Sequence, residues 1–184
     1  MREPDSRAFT NDSQSLWPVP SVYLLAMLKK YGAMSSQVES HPKSQHQVRR
    51  GAKALITTAE RALLVKEAHS DGTQFWTLPG GGVETGESMA DALERELAEE
   101  LCCRVAIEEQ TATFWYAHSS CTRTASLYTV FDCTLTTPTI PNRAEGVLDL
   151  RWIRTDSLPA NTLLGVRALL ENEVDSPYVS LPQY

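Results

Sequence analysis

Residues 80–103 read GGGVETGESMADALERELAEELCC, a glycine turn running into a helix that carries more carboxylates than its length favours. Ser88 and Asp91 have the spacing of a capping box, which starts the helix there. At about 100° per residue, Ala90, Leu93, Leu97 and Leu101 fall on one stripe, the face expected to be buried. Glu96, Glu99 and Glu100 are related as i, i+3 and i+4 and form a second stripe along its edge, with Glu87 on the loop just ahead. The arrangement is locally unfavourable. Like charges at i, i+4 cost roughly 0.2–0.5 kcal/mol, and the macrodipole prefers cations at a helix C-terminus. Local rules broken together in one place often mark a site. A hard divalent cation, which takes oxygen ligands, would reverse the sign of the problem. The plainer reading is a solvated acidic face with Arg95 as its local partner.

The spacing resembles that of the Nudix hydrolases, whose pattern is G-x5-E-x7-R-E-U-x-E-E-x-G-U with U a bulky apolar residue. Here Gly81, Glu87 and the run Arg95-Glu96-Leu97-Ala98-Glu99-Glu100-Leu101 fill its glycine, charged and apolar positions, after the lead-in Trp76-Thr77-Leu78-Pro79-Gly80. Cys102 and Cys103 depart from it. The family's glycine at the first of these would be a left-handed helix cap, so Cys102 implies a different helix end or some strain. Cys103 is a small hydrophobe that packs in place of the closing apolar residue.

The resemblance implies an α/β fold, the Nudix α/β/α sandwich with a mixed β-sheet. It also implies cleavage of a phosphoanhydride bond in a nucleoside diphosphate linked to another group. The cofactor would be Mg²⁺, with Mn²⁺ as the alternative. Such ions neutralise phosphate oxygens and lower the pKa of a bound water. Carried onto this sequence, Glu96, Glu99 and Glu100 would be metal ligands together with the Gly81 carbonyl. Glu99, Glu96 and Glu87 would serve catalysis, Glu87 by reaching a metal or orienting its water. Arg95 would be structural, pairing with Glu87 or Glu99, and Gly80 and Gly82 would let the backbone approach closely. In several relatives the general base lies on a later loop, where Glu145 is the candidate by location and an ordinary loop carboxylate the alternative. Arg143 beside it would meet a phosphate. His118 either faces the cleft to bind substrate or sits on a strand without function. Specificity residues of the family often lie some 15 positions after the motif; here that count reaches His118, with no proline before Pro138. Nucleoside triphosphates, nucleotide sugars, ADP-ribose and dinucleotides stay open as substrates.

Composition agrees with a small-molecule enzyme. A formal charge of −6 argues against a nucleic-acid surface, which needs a basic patch. The four cysteines form no CxxC pair and have no histidine at zinc spacing, which is consistent with reduced thiols and a cytoplasmic location. No apolar run reaches the ~20 residues of a membrane span, and a signal-peptide core is missing near the N-terminus.

Three regions follow along the chain. Residues 1–47 form an N-terminal helical extension. A helix from Val22 to Tyr31, capped by Ser21 and stopped by Gly32, leads to a linker whose His41 and His46 read as solvated. That helix, apolar nearly all round, would dock on its own domain, make a homodimer, or belong to a helical module. The last option carries the alternative function, a non-catalytic nucleotide sensor attached to a regulatory module. Such sensors commonly lose motif carboxylates, whereas this chain keeps all four. Residues 48–176 make the hydrolase domain. Strands are expected at Gly51–Thr58 and, as its neighbour, Arg61–Glu67, then at Phe75–Leu78 with Trp76 as a packed anchor. Further strands are expected at Arg104–Ile107, Thr113–His118, Ala125–Leu135 and Leu148–Ile153. A closing helix spans Leu163–Val174, and residues 177–184 form a tail.

Overall fold

The structure, a computed structural model, describes residues 47–117, 124–172 and 179–180. The expectations placed on residues 1–46 and on His118 lie outside the described residues. Among the described residues, seven strands and two α-helices follow one another: β1 (Gln47–Leu55), β2 (Arg61–Ala68), β3 (Gln74–Thr77), α1 (Met89–Leu101), β4 (Val105–Ala117), β5 (Thr124–Leu135), β6 (Asp149–Arg154), α2 (Leu164–Leu170) and β7 (Val179–Ser180). A 3-10 turn, Arg143–Glu145, precedes β6. The strands form two sheets, ordered β1-β5-β4-β7 and β3-β2-β6. The first is mixed, because β1 runs parallel to β5 while β4 runs antiparallel to it. This is the α/β architecture with a mixed sheet that the sequence implies.

The strand β2 shows why both sheets are needed. Its run Ala62-Leu63-Leu64-Val65 is buried throughout. Successive side chains point to opposite faces, so Leu63 and Val65 enter one core cluster while Ala62 and Leu64 enter another. A strand covered on both faces reads as continuously apolar. Three expectations are corrected. First, β1 and β2 are not sheet neighbours: β1 pairs with β5 and β2 with β3 and β6. An isolated bridge between Thr57 and Ala62 joins the two segments, and there the chain crosses from one sheet to the other. Second, the strands expected at Arg104–Ile107 and Thr113–His118 are not separate: Val105–Ile107 and Thr113–Ala117 both lie in β4. Its register against β5 shifts between Ile107 and Ala112, and such bulges break the alternation that periodicity relies on. Third, α2 ends at Leu170, with Asn172 at φ 54°, well short of Val174. Val179 and Ser180, within the segment read as tail, pair with Phe114 and Thr113 as β7.

Two features of the first sheet position the acidic helix. The outer edge of β1 is closed by the glycine turn. Ala54 N donates to Pro79 O at 2.9 Å, Ala52 N to Gly81 O at 3.0 Å, and Val83 N to Arg50 O at 3.0 Å. An edge that would otherwise invite pairing with another chain is thereby covered. The helix α1 then packs Leu93, Leu97 and Leu101, all fully buried, against Ala52, Ala54, Leu63 and Val65. Ala90 is exposed and Ala92 buried in its stead. The covered face is turned toward the 92–96–100 side because the glycine turn lies there, against Glu96 and Glu100.

Ser88 caps α1, its Oγ accepting from Asp91 N at 3.1 Å. At the other end Cys102 takes the left-handed conformation itself, φ 49° and ψ 31°, and its N–H is bonded to Leu97 O. The helix end is the one a glycine would make, and the cysteine carries the strain. Left-handed backbone costs a non-glycine residue about 1–2 kcal/mol, partly offset because glycine has more chain entropy to lose. Cys102→Gly is therefore expected to stabilise the protein by about 1 kcal/mol, read as a higher urea midpoint at unchanged slope. An unchanged or lower midpoint would contradict this account.

Candidate active site

The carboxylate cluster is organised by Arg95. Its Nε donates to Glu87 Oε1 at 2.9 Å and its Nη2 to Glu87 Oε2 at 3.0 Å, a two-pronged grip across the loop that precedes the helix. The same guanidinium reaches Glu96 Oε1 at 2.9 Å, Glu99 Oε2 at 3.1 Å and the Gly82 carbonyl at 3.0 Å. A planar fork of five donors suits this task, which lysine's single ammonium could not perform. Hydrogen bonds from Arg95, with one from Glu84 N, hold the Glu87 carboxyl below its usual range. The repulsion expected along the acidic stripe is thus answered by one cation from the same helix.

Glu100 stands apart. It is nearly fully buried, on the inner side of the helix, where its Oε2 accepts from Gly80 N at 2.9 Å. Burial pushes its pKa up to about 7, against the pull of Lys53. A carboxyl that binds its proton more tightly folded than unfolded makes the unfolded chain bind fewer protons between its two pKa values. Stability then falls as pH rises through that window. With ordinary and raised values near 4.5 and 7, the metal-free protein is expected to lose about 3 kcal/mol at most between pH 4.5 and pH 7. Thermal melts in chelator across that range would show the slope, and Glu100→Gln should flatten it. A slope unchanged by the substitution would assign the effect elsewhere.

The glycines fit tightly where they meet the helix. At Gly80, φ is +112°, and a Cβ would collide with the Ala52 carbonyl oxygen. A Cβ on Gly81 would fall on the Glu96 carboxylate. Gly82 has open space around its Cα, and its role here is the carbonyl that Arg95 holds.

The loop carrying Arg143 and Glu145 is tied to the C-terminal end of α1. Asn142 N donates to Glu100 O at 2.7 Å, Asn142 Nδ2 to Glu99 O at 2.9 Å, and Ile140 N to Leu101 O at 2.8 Å. These bonds satisfy carbonyls that a helix end leaves unpaired. They place Arg143 and Glu145, both exposed, beside the last turn of the acidic helix. The sequence reading missed Asn142; its position before a short turn is a capping signal, and its Oδ1 accepts from Ala144 N at 3.2 Å. It also missed Lys53, which is buried between Ala52 and Ala54. A lone lysine within an apolar strand was the available signal, since buried charges need partners.

Glu87, Glu96, Glu99, Glu100 and the Gly81 carbonyl offer only oxygen donors, the set that hard divalent cations take. The absence of a Cβ at Gly81 lets the Glu96 carboxylate lie directly against the glycine turn. The residues therefore fit Mg²⁺ or Mn²⁺. Among the described residues, no three acidic, histidine or cysteine side chains are grouped so that they could hold a metal ion; Arg95 pairs with Glu96 and Glu99, and Glu100 accepts from Gly80 N.

Comparison with known proteins bears on this site. A family model described as the NUDIX domain matches residues 47–172. The chain is 33% identical over 96 residues to a nucleoside triphosphatase NudI of Enterobacter sp. (strain 638), covering 48% of this chain and 66% of that protein. It is 34% identical over 114 residues to the nucleoside triphosphatase NudI of Escherichia fergusonii, covering 56% of this chain and 80% of the relative. Among solved structures, a MutT NUDIX hydrolase from Burkholderia pseudomallei superposes with a TM-score of 0.58 at 26% identity, over 68% of this chain and 97% of the other.

Proposed function

The chain belongs to the Nudix family and is a Nudix-type pyrophosphohydrolase, and from that premise we propose that it cleaves a phosphoanhydride bond of a nucleoside triphosphate in a metal-dependent reaction. The observation that carries this reading is the set of oxygen donors along α1 and the loop before it, in which Arg95 ties Glu87, Glu96 and Glu99 together while Glu100 meets the Gly80 N–H beside Gly81. The narrowing to triphosphates rests on the names of the relatives that match at about a third identity.

Glu96, Glu99, Glu100 and the Gly81 carbonyl would hold the ion, Mg²⁺ or Mn²⁺. When bound, it supplies charge neutralisation for phosphate oxygens and a water of lowered pKa. The protein's part is to place acceptors on a rigid element. A helix fixes Glu96 and Glu99 to within the tolerance that reacting groups need. Glu87, gripped by Arg95 and held below the usual carboxylate range, stays ionised and would orient a water by accepting hydrogen bonds from it. Arg143 and Glu145 lie on the loop that Asn142 ties to α1; in this reading Arg143 would meet a phosphate and Glu145 would take a proton from the attacking water.

The test is hydrolysis with Mg²⁺ of nucleoside triphosphates, nucleotide sugars, ADP-ribose and dinucleotides, with products identified by mass. Triphosphate turnover that chelator removes is the expected result. Turnover of another class alone would move the substrate assignment, and silence on all four would defeat the catalytic reading.

A further inference from the structure

Lys53 lies behind the carboxylate cluster, and nothing in the motif accounts for it. It is 4% exposed. Its Nζ donates to the Gly80 carbonyl, stands 3.7 Å from Glu67 Oε1 and lies 5.3 Å from the centre of the Tyr128 ring. The peptide unit it grips is part of a closed circuit. The Gly80 carbonyl binds Lys53, the Gly80 N–H binds Glu100 Oε2, and the next carbonyl, that of Gly81, accepts from Ala52 N. The backbone neighbour of the gripping lysine therefore holds the adjoining glycine.

The charges divide in the same way. Arg95 serves Glu87, Glu96 and Glu99 on the outer side. On the inner side Lys53 faces Glu67 and Glu100, with Glu96 the further carboxylate that it feels. Glu67 Oε1 is buried and has no hydrogen-bond donor within reach, so the ammonium at 3.7 Å is its compensation. Without that ammonium, the buried Glu67 Oε1 would lose its countercharge, and removing one partner of such a pair is costly.

We propose that Lys53 is a positioning residue, whose ammonium fixes the Gly80–Gly81 turn and supplies the countercharge for Glu67 and Glu100, so that Glu100 and the Gly81 carbonyl stand set for a metal ion. The part concerning the metal rests on the metal-dependent reading above. The countercharge part does not. A second layer of this kind acts through the groups it orients, and its loss typically weakens metal binding 10–100-fold, by the general order of magnitude for such partners.

The experiment uses the full chain and Mn²⁺ alone, without substrate, following free Mn²⁺ by its electron paramagnetic resonance signal, together with thermal melts in chelator. Lys53→Met is expected to bind Mn²⁺ about tenfold more weakly and to melt at a lower temperature. Lys53→Arg, which keeps a charge and a donor, should recover most of both. In the double variant Lys53→Met with Glu67→Gln, the melting temperature should recover while Mn²⁺ binding stays weak, because the surplus charge is gone but the Gly80 carbonyl is still ungripped. A residue that only fills space would give additive melting shifts in the pair and no recovery in Lys53→Arg. Wild-type Mn²⁺ affinity in a folded Lys53→Met, or additive shifts, would overturn the proposal. Should Lys53→Met alone not fold, recovery of a folded protein by Glu67→Gln supports it and failure to recover counts against it. Absence of Mn²⁺ binding in the wild type would instead defeat the metal reading, with the melting comparison still deciding the countercharge.

Discussion

Glu99→Gln is expected to lower metal-dependent turnover about a thousandfold while leaving the melting temperature within a few degrees. The size follows from removing one charged group that acts on developing charge at a preorganised centre, typically 10²–10³-fold or somewhat more. The insensitivity of the fold follows from the residue's surroundings. The Glu99 side chain is 48% exposed and pairs with Arg95, at i−4. Exposed pairs of that kind contribute a few tenths of a kcal/mol, roughly 0.3–0.5. The isosteric amide keeps the shape and an acceptor oxygen, so what is lost is the negative charge. Glu100→Gln would be a poorer probe, since that carboxyl is buried against Gly80 N and fold and chemistry would change together. Steady-state kinetics at saturating Mg²⁺ with a melt on the same sample make the measurement. Full activity in a folded Glu99→Gln protein would refute its place at the metal.

Arg95→Lys should cost about a hundredfold in turnover, by the order of magnitude for misplacing a reacting group by about 1 Å. The charge is conserved, so an account based on charge alone predicts little change. The geometry predicts otherwise. One ammonium cannot replace Nε and Nη2 on the two Glu87 oxygens while also reaching the Gly82 carbonyl. The loop between the glycine turn and Ser88 would lose its tie to the helix, and Glu87 would lose its orientation. The defect should appear in kcat more than in KM, because the loss falls on the orientation of Glu87 and not on the binding of substrate. A lysine variant with wild-type kcat would show that the positive charge suffices and that the fork is incidental.

Much of the candidate site was legible without a structure because its information is local. The positions of Glu87, Arg95, Glu96, Glu99 and Glu100 follow from a helix period and a short loop, and the cap at Ser88 from spacing alone. Lys53 and Asn142 were not legible in that way. Lys53 lies 27 residues from Gly80, and Asn142 lies 43 from Glu99. Each acts through a backbone carbonyl, so no side-chain pairing rule points to it. The strand errors have a similar origin. The β1–β2 connection looks like a hairpin because its residues are apolar and separated by a short turn, yet both faces of β2 are buried and β1 belongs to the other sheet.

The sequence by itself determined the family, the α/β class and the order of charged groups along one helix, because these depend on residue type at fixed separation. Only the tertiary structure decided which carboxylate is buried and which is exposed. Glu96, Glu99 and Glu100 are close in sequence and alike in chemistry, yet Glu100 is 8% exposed and the Glu99 side chain 48%. The difference is made by the glycine turn laid along the edge of β1, which covers one side of the helix and leaves the other open. The ionisation of Glu100, its bond to Gly80 and its dependence on Lys53 all follow from where that turn lies, a long-range packing outcome that no helical period contains.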